Sequence, residues 1–294
     1  MAGRESPRGR RVHGRSRRTT RRTTRWLATF VAAIVLCAGV TVSAASLSGG
    51  AQRVHGPGAQ FVANSTMKPI ALYGDSLAGQ SARYFSRFVK RSLGATPLIS
   101  TLDGTAPCDA LPGLLTAAKS RVLSVAVIDF SGNALTPCMT GAPVGTPAYF
   151  ARYHIDIWVA TMALVSSGTN VVLAGSPETF KQAQQGGTSW EWLNQMLASV
   201  ADADPAHVRF VDAGASVMSN GQFTWSLPCL RGEPCLNQPE RGSNFVRAPD
   251  GAHFCPYGLP ATKGVVGPCA EYMSGAFRYG SAMAAAALQM MPRR

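Results

Sequence analysis

No Cys-x-x-Cys pair occurs anywhere in the 294-residue chain, so the paired-cysteine spacing of structural zinc sites is missing. Charge is scarce. Charged residues make up 15% of the chain and hydrophobic residues 46%, a balance that excludes a disordered chain and fits one that buries a core. Histidine is scarce too, with five in all: His13, His55, His154, His207 and His253. No internal repeat is present, which excludes solenoids and propellers. What remains is enough chain for one large domain or two small ones.

Acid is nearly absent from residues 1–26, where ten arginines stand against Glu5 alone. The formal net charge of +13 therefore belongs mostly to a tail; beyond residue 26, 18 bases face 14 acids. A basic tail can bind nucleic acid, but the next segment argues for targeting instead. Residues 26–46 carry no charge, and a basic region, an apolar run and small residues in that order describe a secretory signal. Val42-Ser43-Ala44 resembles a small-x-small cleavage site. The apolar run is also near bilayer-spanning length, so an uncleaved anchor is the alternative. The arginines before it put that end in the cytoplasm and the rest outside. Arg17-Arg18 is followed by Thr19 and Thr20 rather than the apolar residues of a twin-arginine signal, and Leu36 precedes Cys37 where a lipoprotein signal has a small residue. The expected organisation is a basic region over 1–26, a signal peptide or anchor over 27–46, a Gly- and Ser-rich linker over 47–66, and one exported domain over 67–294. Contact with a membrane is expected only through the apolar segment, if uncleaved, and no nucleic-acid partner is expected.

Apart from Cys37, six cysteines remain: Cys108, Cys138, Cys229, Cys235, Cys255 and Cys269. An even number in an exported chain points to disulfides, with fifteen pairings open. Local closure favours Cys229–Cys235 and Cys255–Cys269, leaving Cys108–Cys138 as a longer staple.

Short apolar runs alternate with helical patterns. Strands are expected at 70–73, 97–102, 122–128, 170–173 and 208–211, and helices from Leu77, over 149–165 and over 271–291. Thr188 to Glu191 has the pattern of a capping box opening a further helix. Such alternation implies crossovers and a mainly parallel sheet with helices on both faces. Residues 214–248 lack periodicity and read as a long loop.

Gly74-Asp75-Ser76-Leu77 stands where the first strand gives way to a helix. Parallel sheets bind ligands at the carboxyl ends of their strands, and helix N-termini favour anions. The same residue types serve equally well as a plain helix cap. A serine nucleophile needs a base. His13 lies in the tail, His55 in the linker, and His154 inside a helix. Two histidines have a carboxylate three residues earlier, in Asp204-Pro-Ala-His207 and Asp250-Gly-Ala-His253. His207 enters the fifth strand at its amino end, opposite the Ser76 edge, whereas the loop holding Asp250 and His253 can return to that edge. The expected catalytic set is therefore Ser76, His253 as general base and acid, and Asp250 orienting the imidazole. Past the second and third strands, Gly104 can bring a backbone N–H, and Asn133 a side-chain amide, to a developing oxyanion.

This set resembles the SGNH (GDSL-type) hydrolase superfamily over roughly residues 67–292. The Ser block, Gly74-Asp75-Ser76-Leu77, and the His block, Asp250-Gly-Ala-His253, are intact. The Gly block maps onto Gly104. The Asn block, usually Gly-x-Asn-Asp, reads Ser131-Gly132-Asn133-Ala134 and so lacks its first Gly and last Asp. The resemblance implies a flavodoxin-like three-layer α/β/α sandwich with a five-stranded, mainly parallel sheet. It further implies a metal-free, cofactor-free Ser-His-Asp triad and an oxyanion hole from Ser76 N–H, Gly104 N–H and the Asn133 amide. The expected function is hydrolysis of short acyl or acetyl esters, the substrate being a small acyl ester or an O-acylated envelope carbohydrate. An O-acyltransferase acting on envelope polysaccharide would need the same residues. An inactive glycan-binding module is the reading from another class.

Overall fold

In the computed structural model the described residues are 68–236, 239–255, 269 and 271–292. All belong to one compact unit, Val62–Arg294. The basic tail, the apolar segment and the linker lie outside the described residues. No helix among the described residues is long and apolar enough to cross a membrane.

Five short apolar runs become the strands β1 (Ile70–Gly74), β2 (Leu98–Thr101), β3 (Val125–Asp129), β4 (Asn170–Ala174) and β5 (Val208–Val211). They pair in parallel in the order β2-β1-β3-β4-β5. The helices between them are α1 (Ser76–Leu93), α2 (Pro107–Ser120), α3 (Pro147–Ser166), α4 (Phe180–Gln185) and α5 (Ser189–Asp202), and α6 (Ser274–Gln289) closes the chain. Alternation along each strand sorts the core into two layers. Ile70 and Leu72 of β1 and Val125 and Val127 of β3 face α1 and α6, packing on Phe85, Tyr279 and Met283. Ala71, Tyr73, Ala126 and Ile128 face the other way, onto Leu114, Tyr153 and Leu197 of α2, α3 and α5. The result is a three-layer α/β/α sandwich. Its strand order reverses between β1 and β3, where doubly wound sheets open a crevice at their carboxyl edge.

Two close approaches position that edge. A Cβ on Gly74 would overlap the Asp129 carbonyl oxygen, so only glycine lets β1 end so near β3. A Cβ on Gly280 would stand 2.7 Å from the Ser81 carbonyl oxygen, so α6 lies against α1 at backbone distance.

Several expected elements shift. The stretch 214–248 is not a plain loop: it holds β6 (Ser226–Pro228) and β7 (Ser243–Phe245), which pair antiparallel. Three-residue strands are too short for a readable alternation. The capping box at Thr188 does not form. Thr188 has ψ of 13°, away from the extended cap conformation, and its side chain caps nothing. A reciprocal box forms instead at Thr179 and Gln182, opening α4. Cys108–Cys138, Cys229–Cys235 and Cys255–Cys269 are disulfides. Cys108, Asp109 and Cys138 form the one metal-like grouping among the described residues, and its sulfurs are spent in a disulfide.

Candidate active site

Ser76 is the first residue of α1, directly past the carboxyl end of β1, and 5% exposed. Its Oγ lies 3.0 Å from His253 Nε2, and His253 Nδ1 lies 2.6 Å from Asp250 Oδ2. The short Nδ1 contact to a carboxylate fixes the proton on Nδ1, which leaves Nε2 as the acceptor facing the serine. Asp250 Oδ1 accepts the backbone N–H groups of Ala252 and His253, so the carboxylate also holds its own turn. Gly251, at φ +70°, supplies the left-handed residue which that turn requires.

Hydrogen bonds at both ends set the electrostatics. The His253 bond and the two backbone bonds outweigh desolvation and hold Asp250 well below the usual carboxylate range. The bond to Asp250 raises the His253 imidazole above its ordinary 6.5 despite desolvation, with Asp75 and Asp103 adding to the rise.

Asp75 plays a part its residue type hid. It caps α1 through Leu77 N–H at 3.1 Å. Its other oxygen accepts the Ser131 N–H and hydroxyl, each at 2.6 Å, and the Asn133 side-chain amide at 2.8 Å. Desolvation pushes the Asp75 carboxyl up, opposed by the bonds from Ser131 and Leu77. From the far side, the Tyr149 hydroxyl donates to Gly132 O and the Tyr153 hydroxyl to Asn133 O, both at 3.0 Å. The loop 131–133 is thus clamped between β1 and α3. One amide hydrogen of Asn133 is committed to Asp75, leaving the second for another acceptor.

Gly104 sits in an exposed turn at φ +67°, closed by the Thr105 hydroxyl donating to Leu102 O at 2.6 Å. Among the described residues neither its N–H nor that of Ser76 has a hydrogen-bond partner. Cys108–Cys138 and a 2.7 Å bond from Thr136 to Asp109 tie the Gly104 and Asn133 loops together.

Gln80, one turn beyond Ser76 on α1 and 2% exposed, is a positioning residue that the motif reading missed. Its Oε1 accepts Phe254 N–H at 2.7 Å and Cys255 N–H at 3.3 Å, fixing the backbone just after His253. Asp129, at the end of β3, is fully buried and accepts the Tyr279 hydroxyl at 2.7 Å. Burial, then the neighbouring Asp75 charge, push its carboxyl well up. The rival pair stays apart from Ser76: His207 bonds Asp204 at 3.0 Å at the amino end of β5. His154 is exposed on α3 beside Trp158.

A neutral imidazole so oriented can take a proton from a serine hydroxyl, and the free N–H groups beside it can receive a developing oxyanion. No protein-family model and no curated protein matches the chain. Solved structures similar to it include a Bacteroides fragilis protein described as an acylhydrolase, 14% identical over 76% of this chain and 88% of its own, with a TM-score of 0.49. A GDSL-like lipase from Bacteroides thetaiotaomicron is 11% identical over 76% and 89%, with a TM-score of 0.46. The C-terminal catalytic domain of Streptococcus pneumoniae peptidoglycan O-acetyltransferase A is 15% identical over 76% and 93%, with a TM-score of 0.42.

Proposed function

We propose that the chain is an exported serine esterase of the SGNH type, acting on short acyl or acetyl esters through a Ser76–His253–Asp250 triad. One observation carries the reading. Ser76 and His253, 177 residues apart in the chain, meet at 3.0 Å with the second imidazole nitrogen already bound to Asp250. A helix cap needs no such partner.

Ser76 Oγ attacks the acyl carbon while His253 Nε2 takes its proton. The carbonyl oxygen becomes an anion and receives the N–H groups of Ser76 and Gly104 and the free Asn133 amide hydrogen. As the tetrahedral intermediate collapses, the ester C–O bond breaks and His253 returns the proton to the departing alcohol. Water then gives a proton to His253 and attacks the acyl-enzyme, releasing the acid and restoring Ser76. Asp250 stays ionised throughout and stabilises each imidazolium. Three disulfides suit the oxidising compartment beyond the membrane, which supports export.

Turnover of p-nitrophenyl acetate and butyrate tests this. The wild type is expected to hydrolyse at least one, and Ser76→Ala to lower kcat by roughly a thousandfold or more. Equal rates in the two proteins would sink the assignment. A wild type that binds glycan without turnover would favour a binding module. Acyl delivery to an added glycan in preference to water would mark a transferase.

A further inference from the structure

Three aromatic side chains crowd the backbone between Asp250 and His253. Phe180 opens α4, and Phe223 and Trp225 lead into β6. Their ring centroids lie 5.4 Å (Phe180–Phe223), 5.0 Å (Phe180–Trp225) and 5.0 Å (Phe223–Trp225) apart. All three are half-buried. Gly251 is the contact point of two of them: its carbonyl accepts Phe180 N–H at 2.9 Å, and a Cβ there would overlap Phe180 and stand 3.3 Å from the Trp225 ring, while Phe223 packs on both rings. Arg247 makes a second tie. Its guanidinium lies 5.9 Å from the Phe223 centroid and 5.5 Å from that of Phe254, the residue after His253. Arg247 is 2% exposed; its Nη2 donates to Glu178 O at 3.3 Å, its Nε and Nη1 have no hydrogen-bond partner among the described residues, and the flanking rings add support.

The loops that carry Gly104 and Asn133 have a different character. Leu102 and Leu135, 53% and 97% exposed, stand two residues from them in the chain. Acyl-transfer chemistry gives these two neighbourhoods different jobs. The carbonyl oxygen must reach the oxyanion donors, whereas the leaving alcohol must reach His253 Nε2. Rings packed on the segment that bears His253 stand at the alcohol's end.

We propose that Phe180, Phe223 and Trp225 form the subsite for the alcohol part of the substrate, and that it takes a sugar ring of an O-acylated polysaccharide. This rests on the roles given above to Ser76 and His253. A pyranose presents a flat face of C–H bonds to aromatic rings and a rim of hydroxyls to polar groups. The residues at Gly251 are aromatic, with Thr179 and Thr224 next to them in the chain.

Two measurements test the subsite, one independent of turnover. Calorimetry follows binding of unacylated xylohexaose, cellohexaose and chitohexaose to the protein and to its Trp225→Ala variant. At least one sugar is expected to bind the wild type, and the variant to bind it about tenfold more weakly or worse. Kinetics then compare acetylated xylo-oligosaccharide with ethyl acetate. The ratio of their kcat/KM values is expected to fall about tenfold in Trp225→Ala and to recover in Trp225→Tyr. Phe180→Leu, which keeps bulk but loses the ring, is expected to lower the same ratio without undoing the packing on Gly251. Absence of binding to all three sugars, together with an unchanged ratio, would overturn the proposal. So would a change in acetate-over-butyrate preference with the alcohol ratio kept, which would put the rings on the acyl side. If the wild type hydrolyses neither ester, the Ser76 reading fails and calorimetry still decides the subsite.

Discussion

At the scale of single residues, the proposed mechanism makes the Asp250–His253 contact set the working pH. In it the neutral imidazole is the active form, and its pKa is raised, first by the bond to Asp250. The acidic limb of kcat/KM is therefore expected above pH 6.5, activity rising with pH through it. Asp250→Asn removes the main cause of the rise, so the limb is expected to move to lower pH. The plateau is expected to fall by roughly 10²–10⁴-fold, because an amide no longer selects the Nδ1–H tautomer or stabilises the imidazolium. A pH–rate profile of both proteins checks this, and a limb left in place would argue against the pairing. Ser76, His253 and Asp250 were legible because a strand end, a three-residue spacing and the scarcity of histidine leave few alternatives. Asp75 and Gln80 were not. An aspartate before a helix reads as a cap, and Asp75 is one. Its second oxygen, turned to Ser131 and Asn133, depends on how β1 and β3 meet, which no local pattern reports. Gln80 offered one signal, its place one turn past Ser76, but its partners Phe254 and Cys255 are distant in the chain.

Elements are held to one another by a buried carboxylate outside the candidate site. Glu233, inside the loop closed by Cys229–Cys235, bonds Arg278 of α6 at 2.7 Å, Tyr272 at 2.9 Å, Leu230 N–H at 2.8 Å and Asn244 at 3.1 Å. Burial would raise its pKa, but hydrogen bonds from Ser274, Leu230, Arg278 and Tyr272 outweigh that and hold it down at about 2. A depressed carboxylate stabilises the fold above its ordinary pKa and loses that contribution as pH falls through the depressed value. Stability is thus expected to decline between the ordinary carboxylate range and about pH 2. Glu233→Gln leaves Arg278 without its counter-charge and is expected to cost about 3–5 kcal/mol at neutral pH, read by urea unfolding. The loss should shrink in acid, where the wild type loses the same charge. This region was the least legible. Residues 214–248 build two three-residue strands and a disulfide loop, and their order comes from Glu233 and Arg278 rather than from periodicity. The central strands β1, β3 and β4 were clear for the opposite reason: each is a dense apolar run buried on both faces. Helix α2 escaped notice because Pro107, Pro112 and Gly113 break its pattern, although Pro107 stands at the helix start, where proline is tolerated.

For the whole molecule, the alternation of strands and helices foretold layers and a parallel sheet. The order β2-β1-β3-β4-β5 was not legible, since spacing does not say which strands are neighbours. Of the three disulfides, Cys108–Cys138 spans the most chain, 30 residues. Its removal by paired Ser substitutions is expected to cost about 3–4 kcal/mol from restored chain entropy. Because it also joins the Gly104 and Asn133 loops, kcat is expected to fall further than KM rises. Thermal unfolding and steady-state kinetics on the double variant check both, and unchanged kcat would leave the bridge a staple only.

The closeness of α1 and α6 at Gly280 has a kinetic consequence. Ser76 lies near one end of the domain and His253 near the other, so the pair exists only after a loop of 177 residues has closed. Contacts this far apart in sequence form late, since the entropy of closure must be met before they stabilise anything. Recovery of activity on refolding should therefore lag behind recovery of helical signal. A chain threaded through a membrane before folding would carry no working nucleophile until it reached the other side.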